Sequence, residues 1–204
     1  MSSPSPVSSS GWKPNRICKD TEDPSRMLMP IRTLGDPVLK TPCQPVTLFD
    51  DALKRLAQDM LETMYDAPGV GLAAPQVGLS KRLFVFDDGA GGSRFMANPE
   101  LASPEGEIVE DEGCLSIPGP FHPTPRFARV VCRGQDLEGA WYELAGEGLL
   151  ARIFQHETDH LDGTLYIDRL DEQGRRSVLA DLRRFELGIE DPRRKRGFLR
   201  DEVE

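Results

Sequence analysis

The chain of 204 residues has no long apolar run, few histidines and an excess of acidic over basic residues. It has no stretch of roughly 20 apolar residues such as spans a bilayer, so we expect no transmembrane helix. Its first residues include no apolar segment of the secretory type, and we expect a cytoplasmic protein. The 34 acidic and 25 basic residues leave a formal net charge of -9. This balance predicts no specific binding to nucleic acid and no binding to anionic membranes.

Cysteine is scarce as well, with four residues in the chain. That number is too small for a disulfide-rich scaffold. We expect Cys18, Cys43 and Cys132 to be free thiols, either buried as small apolar side chains or located in a tail. Cys114, in the segment Glu-Gly-Cys-Leu-Ser, is a candidate metal ligand instead.

Three segments of the chain differ in composition. Residues 1–26 are rich in Ser and Pro and poor in large apolar residues, so we expect a flexible tail. Residues 27–187 are expected to form one domain, and residues 188–204 a tail of mixed charge. The basic run at 193–196 is typical of a solvated tail, with contact to RNA or the ribosome as the alternative.

Hydrophobic spacing predicts the elements of an α+β domain. Apolar residues recur at helical spacing after Asp50 and Asp51, which predicts an amphipathic helix that ends at Pro68-Gly69. A second helix is predicted over residues 148–163 and a third over residues 177–186. Short strands are predicted at 82–88, 94–101, 107–112, 128–134 and 140–146. We therefore expect short antiparallel β-strands packed around a central helix, the second one, that carries a His-Glu-x-x-His motif.

That motif is His156-Glu157-Thr158-Asp159-His160. Residues four apart lie on one face of a helix, so both imidazoles can bind one metal ion. Glu157, beside the first histidine, is placed to take a proton from a water molecule. The alternative is a pair of histidines on a helix face without a metal.

A catalytic metal site of this kind needs a third protein ligand and one open position. Cys114 is the candidate, and a buried structural cysteine is the alternative. A thiolate and two imidazoles favour a divalent ion of borderline softness, such as iron(II), zinc or nickel. His122, the remaining histidine of the chain, is expected at the surface or at the rim of the site.

A segment poor in side-chain bulk runs from Gly69 to Gln76. Its two glycines permit close approach of another backbone, and Gln76 adds an amide donor. This suits a loop that runs beside an extended substrate and stabilises an oxyanion. The segment has neither of the glycine patterns that bind nucleotide phosphates.

Taken in order, the three segments resemble the motifs of the peptide deformylase family, G-x-G-x-A-A-x-Q, E-G-C-x-S and H-E-x-x-H. They stand here at residues 69–76, 112–116 and 156–160, and the resemblance spans roughly residues 27–172. It implies a hydrolase that removes the formyl group from the N-terminal formylmethionine of newly made polypeptides and releases formate. Its partners would be nascent peptides near the ribosome.

The resemblance also implies a role for individual residues. Glu157 would be the general base and then the general acid while a metal-bound hydroxide attacks the formyl carbon. Gln76 and the backbone N–H of Leu115 would hold the oxyanion. Iron(II) is expected in the cell, with Zn²⁺, Ni²⁺ or Co²⁺ as alternatives, on the ligands Cys114, His156 and His160.

Further residues would bind the substrate or support the metal loop. The family's extended substrate pairs with backbone that corresponds to Val70, Gly71 and Gly113. Leu149 and Ile153, together with Val70, are expected to line the methionine pocket. A supporting pair would be formed by Glu112 and Arg126. Some related sequences carry an arginine where this chain has Phe121. The resemblance therefore does not assign the substrate contacts at the rim of the site.

Two alternatives belong to other functional classes. A metalloprotease that cleaves internal peptide bonds would take its third ligand downstream, where Glu172 and Glu186 are the candidates. A non-catalytic module would close the metal site with a fourth protein ligand, for which Cys132 is the candidate.

Overall fold

The computed structural model describes residues 27–87 and 92–189. The predicted N-terminal tail at 1–26 lies outside these residues. Of the predicted C-terminal tail at 188–204, the first two residues are described.

The described residues form three α-helices, namely α1 (Asp51–Asp66), α2 (Leu149–Leu161) and α3 (Glu172–Glu186). Helix α1 begins where predicted, because the Asp50 carboxylate accepts a hydrogen bond from the Leu53 N–H at 2.9 Å. The predicted start of α3 at residue 177 is wrong. The helix begins five residues earlier and is capped by Asp171, whose carboxylate accepts from the Gly174 N–H at 2.7 Å. The glycine in the first turn hides this start from a propensity argument.

The strands in the described part of the chain form two antiparallel sheets. The larger has the order β1-β2-β3-β6-β7, and the smaller pairs β4 with β5. The strand bounds are β1 Gly71–Ala73, β2 Leu83–Asp87, β3 Ser93–Glu105, β4 Ile108–Cys114, β5 Ile117–Arg126, β6 Arg129–Gln135 and β7 Trp141–Glu147. The expected α+β class with antiparallel strands is therefore confirmed.

Strand β5 is the element that the sequence pattern does not predict. It contains four prolines, which usually argue against a strand. Pro123 pairs with Asp111 and Pro125 with Val109. Because the two prolines are two residues apart, the positions of their missing N–H groups face the same side of the strand. The other edge of β5 has no strand partner among the described residues, so prolines are tolerated there.

Alternate residues of β2 pack on opposite faces of the larger sheet. Leu83 and Val85 join the apolar residues of α1 in one cluster. Phe84 and Phe86 join α2 in another, where the Phe154 ring lies 5.3 Å from that of Phe86. The sheet is thus covered by α1 on one face and α2 on the other, so that both of its apolar faces are buried.

A third apolar cluster holds α3 against the smaller sheet. It includes Ile117 of β5 with Val178 and Leu182 of α3. The smaller sheet, which leads into Cys114, is thereby anchored to the rest of the domain. Within the described residues, no helix combines the length and the apolar character needed to cross a membrane.

Candidate metal centre

Cys114, His156 and His160 come together from two elements that are distant in sequence. Cys114 ends β4, and the two histidines lie on successive turns of α2. One candidate donor atom of each residue lies within 4.8 Å of the other two. The Cys114 Sγ atom is 3.2 Å from Nε2 of His160, and the two imidazole centroids are 4.9 Å apart. Both histidines are buried, so these donors face one another away from bulk water.

Glu112 determines which nitrogen of His156 is available to a cation. Its Oε1 atom lies 2.6 Å from Nδ1 of His156. Burial by itself would raise the pKa of Glu112, but hydrogen bonds from Arg126 and the nearby His156 outweigh it and lower the pKa to about 2. An ionised carboxylate can only accept, so Nδ1 carries the proton and Nε2 is left as the donor to a cation.

Arg126 holds Glu112 in that orientation. Its Nε donates to one carboxylate oxygen at 2.9 Å and its Nη2 to the other at 2.6 Å, and both side chains are 3% exposed. The structure therefore brings the expected Glu112–Arg126 pair together. The same guanidinium also donates from Nη1 to Asp159 at 2.7 Å.

The contribution of Asp159 was missed in the sequence. A signal was present, because Asp159 is a charged residue inside the His-Glu-x-x-His motif, on a helix whose other motif residues are buried. Tyr166 was missed too, and its ring stacks on His156 with the centroids 6.4 Å apart. Sequence spacing predicts neither contact, since Arg126 and Asp159 are 33 residues apart and Tyr166 lies beyond the end of α2.

Glu157 is 3% exposed and directly follows His156 on α2. Burial raises the pKa of its carboxyl group to about 7, against the lowering effect of His156. Its Oε2 atom has no hydrogen-bond partner within the described part of the chain. A carboxyl group of this kind can take up and release a proton near neutral pH.

Burial also holds the pKa of His160 well below its ordinary value, and the positive charge of His156 adds to this effect. The neutral imidazole is the form that binds a cation. For His156, burial would lower the pKa, but the charges of Cys114 and Glu112 raise it well above the ordinary value. A bound cation would compete with that proton.

Gln76 presents its amide N–H₂ to the same place. Its Oε1 accepts from the Ala73 N–H at 2.8 Å, which turns Nε2 toward Cys114 Sγ at 3.6 Å and Ser116 Oγ at 3.3 Å. The sequence had predicted a loop from Gly69 to Gln76, but only part of this segment is a loop. It forms strand β1 and then a short 3-10 helix, Ala74–Val77, whose first turn the Gln76 side chain closes.

The remaining predicted residues differ in their positions. Val70 and Leu149 are 48% and 56% exposed, whereas Ile153 is buried in the cluster between α2 and the sheet. A Cβ atom on Gly113 would lie 2.4 Å from the ring of Phe121, so that ring covers the glycine. The backbone N–H of Ser116 points at the Cys114 sulfur at 3.4 Å, next to Leu115. The substrate-binding roles of these residues stay predictions.

The candidate ligands of the two alternatives lie elsewhere. Cys132 is fully buried, its thiol donates to the Met96 sulfur at 3.1 Å, and burial raises its pKa to about 12. Glu172 is exposed and pairs with Arg176, and Glu186 is exposed near the end of α3. Within residues 27–87 and 92–189, none of the three belongs to the group of donors around Cys114.

These residues fit a divalent cation by the chemistry of their donors. One sulfur and two imidazoles form the set, and a buried carboxylate fixes the tautomer of one imidazole, as carboxylates behind histidine ligands do at metal sites. Glu157 is not part of this set, and the Gln76 amide nitrogen lies 3.6 Å from the Cys114 sulfur.

The chain is similar throughout this region to known proteins. Residues 28–176 match the family described as polypeptide deformylase. The chain is 52% identical over 158 residues to a peptide deformylase of Acidothermus cellulolyticus, a match that covers 77% of this chain and 87% of that one.

Solved structures agree with the fold. The peptide deformylase of Legionella pneumophila has a TM-score of 0.76 at 41% identity over 79% of this chain and 96% of its own. That of Thermus thermophilus has a TM-score of 0.72 at 47% identity over 79% of this chain and 99% of its own. The resemblance inferred from three motifs is therefore confirmed, and the chain belongs to the polypeptide deformylase family.

Proposed function

We propose that this protein hydrolyses the formyl amide of N-formylmethionyl peptides and releases formate. The observation that carries the proposal is the convergence of Cys114, His156 and His160 within 4.8 Å, at the junction of β4 and α2. Family membership gives the reaction class. We further propose that α2 is the central helix of the domain with respect to function, because it carries two of the three ligands and Glu157.

The three residues would hold one divalent cation. When bound, the cation would polarise the formyl carbonyl and lower the pKa of a coordinated water. The resemblance favours iron(II) in the cell, with Zn²⁺, Ni²⁺ or Co²⁺ as ions that the same donors accommodate. Glu112, which holds Nδ1 of His156, and Arg126, which holds Glu112, would support the ligand from behind.

Glu157 would move the proton of the reaction. Its carboxylate accepts a proton from the attacking water and donates it to the amine nitrogen as the C–N bond breaks, which yields formate and a free N-terminus. Its burial and its pKa of about 7 support this role, since the group can hold either protonation state near neutral pH.

Gln76 and the backbone N–H of Leu115 would stabilise the charge that develops on the formyl oxygen. The orientation of the Gln76 amide supports this, because the bond from the Ala73 N–H engages its oxygen and leaves its nitrogen as the donor. A donor that is oriented beforehand needs no reorganisation during the reaction.

The peptide part of the substrate would lie between two strand edges. Strand β1 is at the edge of the larger sheet, and β4 pairs with β5 alone among the described strands. The Val70 carbonyl accepts from the Asp87 N–H at 3.0 Å, so the next residue, Gly71, directs its backbone groups toward the free edge. Gly71 and Gly113 would therefore bind substrate backbone, and Val70, Leu149 and Ile153 would contact the methionine side chain.

The setting of the reaction is also part of the proposal. Its substrates would be nascent peptides in the cytoplasm close to the ribosome, and the protein would bind neither membranes nor a specific nucleic acid. The net charge of -9 supports the last point. Residues 1–26 and 188–204 would be tails outside the catalytic domain.

The test is an assay of formate release from a short formylmethionyl peptide by protein purified and loaded with a divalent cation without oxygen. Parallel reactions contain the same peptide without the formyl group and the variant His160→Ala. Formate from the formylated peptide alone, and its loss in the variant, are expected. The proposal would be contradicted if mass spectrometry detected cleavage of internal peptide bonds. It would also be contradicted if the metal-loaded protein did not react with the formylated peptide.

A further inference from the structure

A continuous chain of charged side chains leads from the proposed metal ligand His156 to Asp159. Glu112 accepts from Nδ1 of His156, and Arg126 binds both oxygens of Glu112. The third nitrogen of Arg126, Nη1, donates to Oδ2 of Asp159 at 2.7 Å. We call these four residues the relay. They come from three elements, namely β4, the end of β5, and α2.

The relay is buried, and each of its two carboxylates binds the guanidinium of Arg126. The side chains of Glu112 and Arg126 are each 3% exposed and that of Asp159 is 10% exposed. Burial would lower the pKa of Arg126, but the hydrogen bonds and charges of Glu112 and Asp159 raise it. If one of its two carboxylates were removed, the buried guanidinium would keep N–H groups without an acceptor. Removing one partner of a buried ion pair strongly lowers the free energy of unfolding.

Asp159 is itself held from the solvent side. Arg169 donates from Nε to Oδ2 of Asp159 at 3.1 Å and from Nη2 to Oδ1. The side chain of Arg169 is 50% exposed. Asp159 is thus bound by the buried guanidinium of Arg126 and by the half-exposed guanidinium of Arg169. These bonds restrict rotation of its side chain.

The contacts of Asp159 are connected to the metal centre through helix α2 and Arg126. His156 and Asp159 are three residues apart on α2 and so lie on adjacent parts of one helix face. The guanidinium of Arg126 is clamped between Asp159 on α2 and Glu112 on β4. The contacts of Arg126 with Asp159 and with Glu112 therefore fix the position of the Glu112 carboxylate relative to α2. Through that carboxylate they also fix the orientation of the His156 ring.

We propose that Asp159 is a positioning residue for His156, acting through Arg126 and Glu112. This inference rests on the proposed metal site and deepens it. The removal of the Asp159 charge would free one edge of Arg126. The Arg126–Glu112 pair would then shift as a unit, and His156 would present Nε2 in a wider range of orientations.

The test measures binding of Co²⁺ to the metal-free full chain by competition with a chromogenic chelator. The variant Asp159→Asn removes the charge with little change in volume. Its affinity for Co²⁺ is expected to fall about 10- to 100-fold, the usual effect of losing a hydrogen-bonding partner behind a metal ligand. The matched control is Asp162→Asn, just beyond α2, where the lost partner is Arg82 in a pair whose aspartate is 53% exposed. Because exposed pairs contribute little, its affinity should change less than about twofold.

The same substitution made in a protein that already carries a second substitution separates an effect on the orientation of His156 from an effect on overall stability. If Asp159 acts through Glu112, then Asp159→Asn should have a much smaller effect on Co²⁺ affinity in a Glu112→Gln protein than in the unaltered one. Arg126→Lys, which keeps the charge but not the planar fork, serves as the second background if Glu112→Gln does not fold. An equal loss of affinity in both backgrounds would overturn the proposal.

Two further readouts complete the design. The thiolate-to-cobalt absorption bands should change in Asp159→Asn and not in Asp162→Asn, because the ligand geometry changes in the first protein alone. A lower thermal midpoint of metal-free Asp159→Asn with unchanged Co²⁺ affinity would assign the residue a structural role only and overturn the inference. Neither readout uses a formylated substrate, so failure of the proposed function and failure of this inference are distinguishable.

Discussion

The Oε1 atom of Glu157 lies 2.3 Å from the point where a side chain on Gly71 would place its Cβ atom. The buried carboxylate therefore occupies space that any other residue at position 71 would need. Strand β1 and helix α2 meet at this contact. The proposed backbone contact for the substrate and the proposed proton carrier are thus adjacent because residue 71 has no side chain.

Gly71→Ala should displace the Glu157 carboxylate and lower the rate of formate release. The loss should be about 10²-fold, the order expected from a displacement of about 1 Å at a catalytic group. The rate is measured together with bound metal, which should stay near one ion per chain because neither residue is a proposed ligand.

The matched control for this substitution is Gly134→Ala, where a Cβ atom would also lie 2.3 Å from a side-chain atom, the Cγ of Met96. This site is in the core, away from the donors, so the free energy of unfolding should fall by about 1–3 kcal/mol. The rate per folded molecule should persist. Equal loss of rate in both variants would mean that the contact with Glu157 is not responsible.

Glu157→Gln should retain the metal and lose turnover. Glu157 is proposed to carry a proton and not to bind the cation, and loss of a general base costs roughly 10²-fold or more. Metal content and formate release are measured side by side. Glu147→Gln, at an exposed carboxylate paired with Arg129, is the control and should keep both. Loss of the metal from Glu157→Gln, or a near-normal rate, would refute the assignment.

The identity of the metal should be visible in rates and in sensitivity to air. One metal-free preparation is reconstituted without oxygen with iron(II), nickel or zinc, and each form is assayed at once and after exposure to air. The iron form is expected to be faster than the zinc form and to lose activity in air, because a thiolate beside a redox-active ion favours oxidation of both. The zinc form should be stable in air, since zinc has no redox chemistry. An iron form that is no faster than zinc, or equally stable in air, would exclude iron(II) as the expected metal.

Deletion of residues 1–26 should leave the hydrolysis of a short formylated peptide nearly unchanged. The segment is rich in Ser and Pro, and its few large apolar residues provide little surface to bury. Activity and the thermal midpoint of the truncated protein are compared with those of the full chain. A large fall in either quantity would show that the segment packs on the domain.

Much of the fold was predictable because its signals are local. The spacing of apolar residues after Asp50 predicts α1, and five strands lie within a few residues of their predicted positions. Local signals failed where tertiary contacts override propensity. The prolines of β5 are compatible with a strand that pairs along one edge only, and the early start of α3 depends on the cap at Asp171.

The sequence by itself determined which residues are candidates for the chemistry of the site. The four-residue spacing of His156 and His160 on a helix, with Glu157 between them, predicts two donors on one face and a proposed proton carrier beside them. The resemblance carried by the order of the three motifs then predicted roles for Cys114 and Gln76. The tertiary structure alone decided how these groups are held, since Glu112, Arg126 and Asp159 meet across β4, β5 and α2. Sequence spacing carries no information about such contacts, because burial and charge pairing between distant segments arise only once the chain has folded.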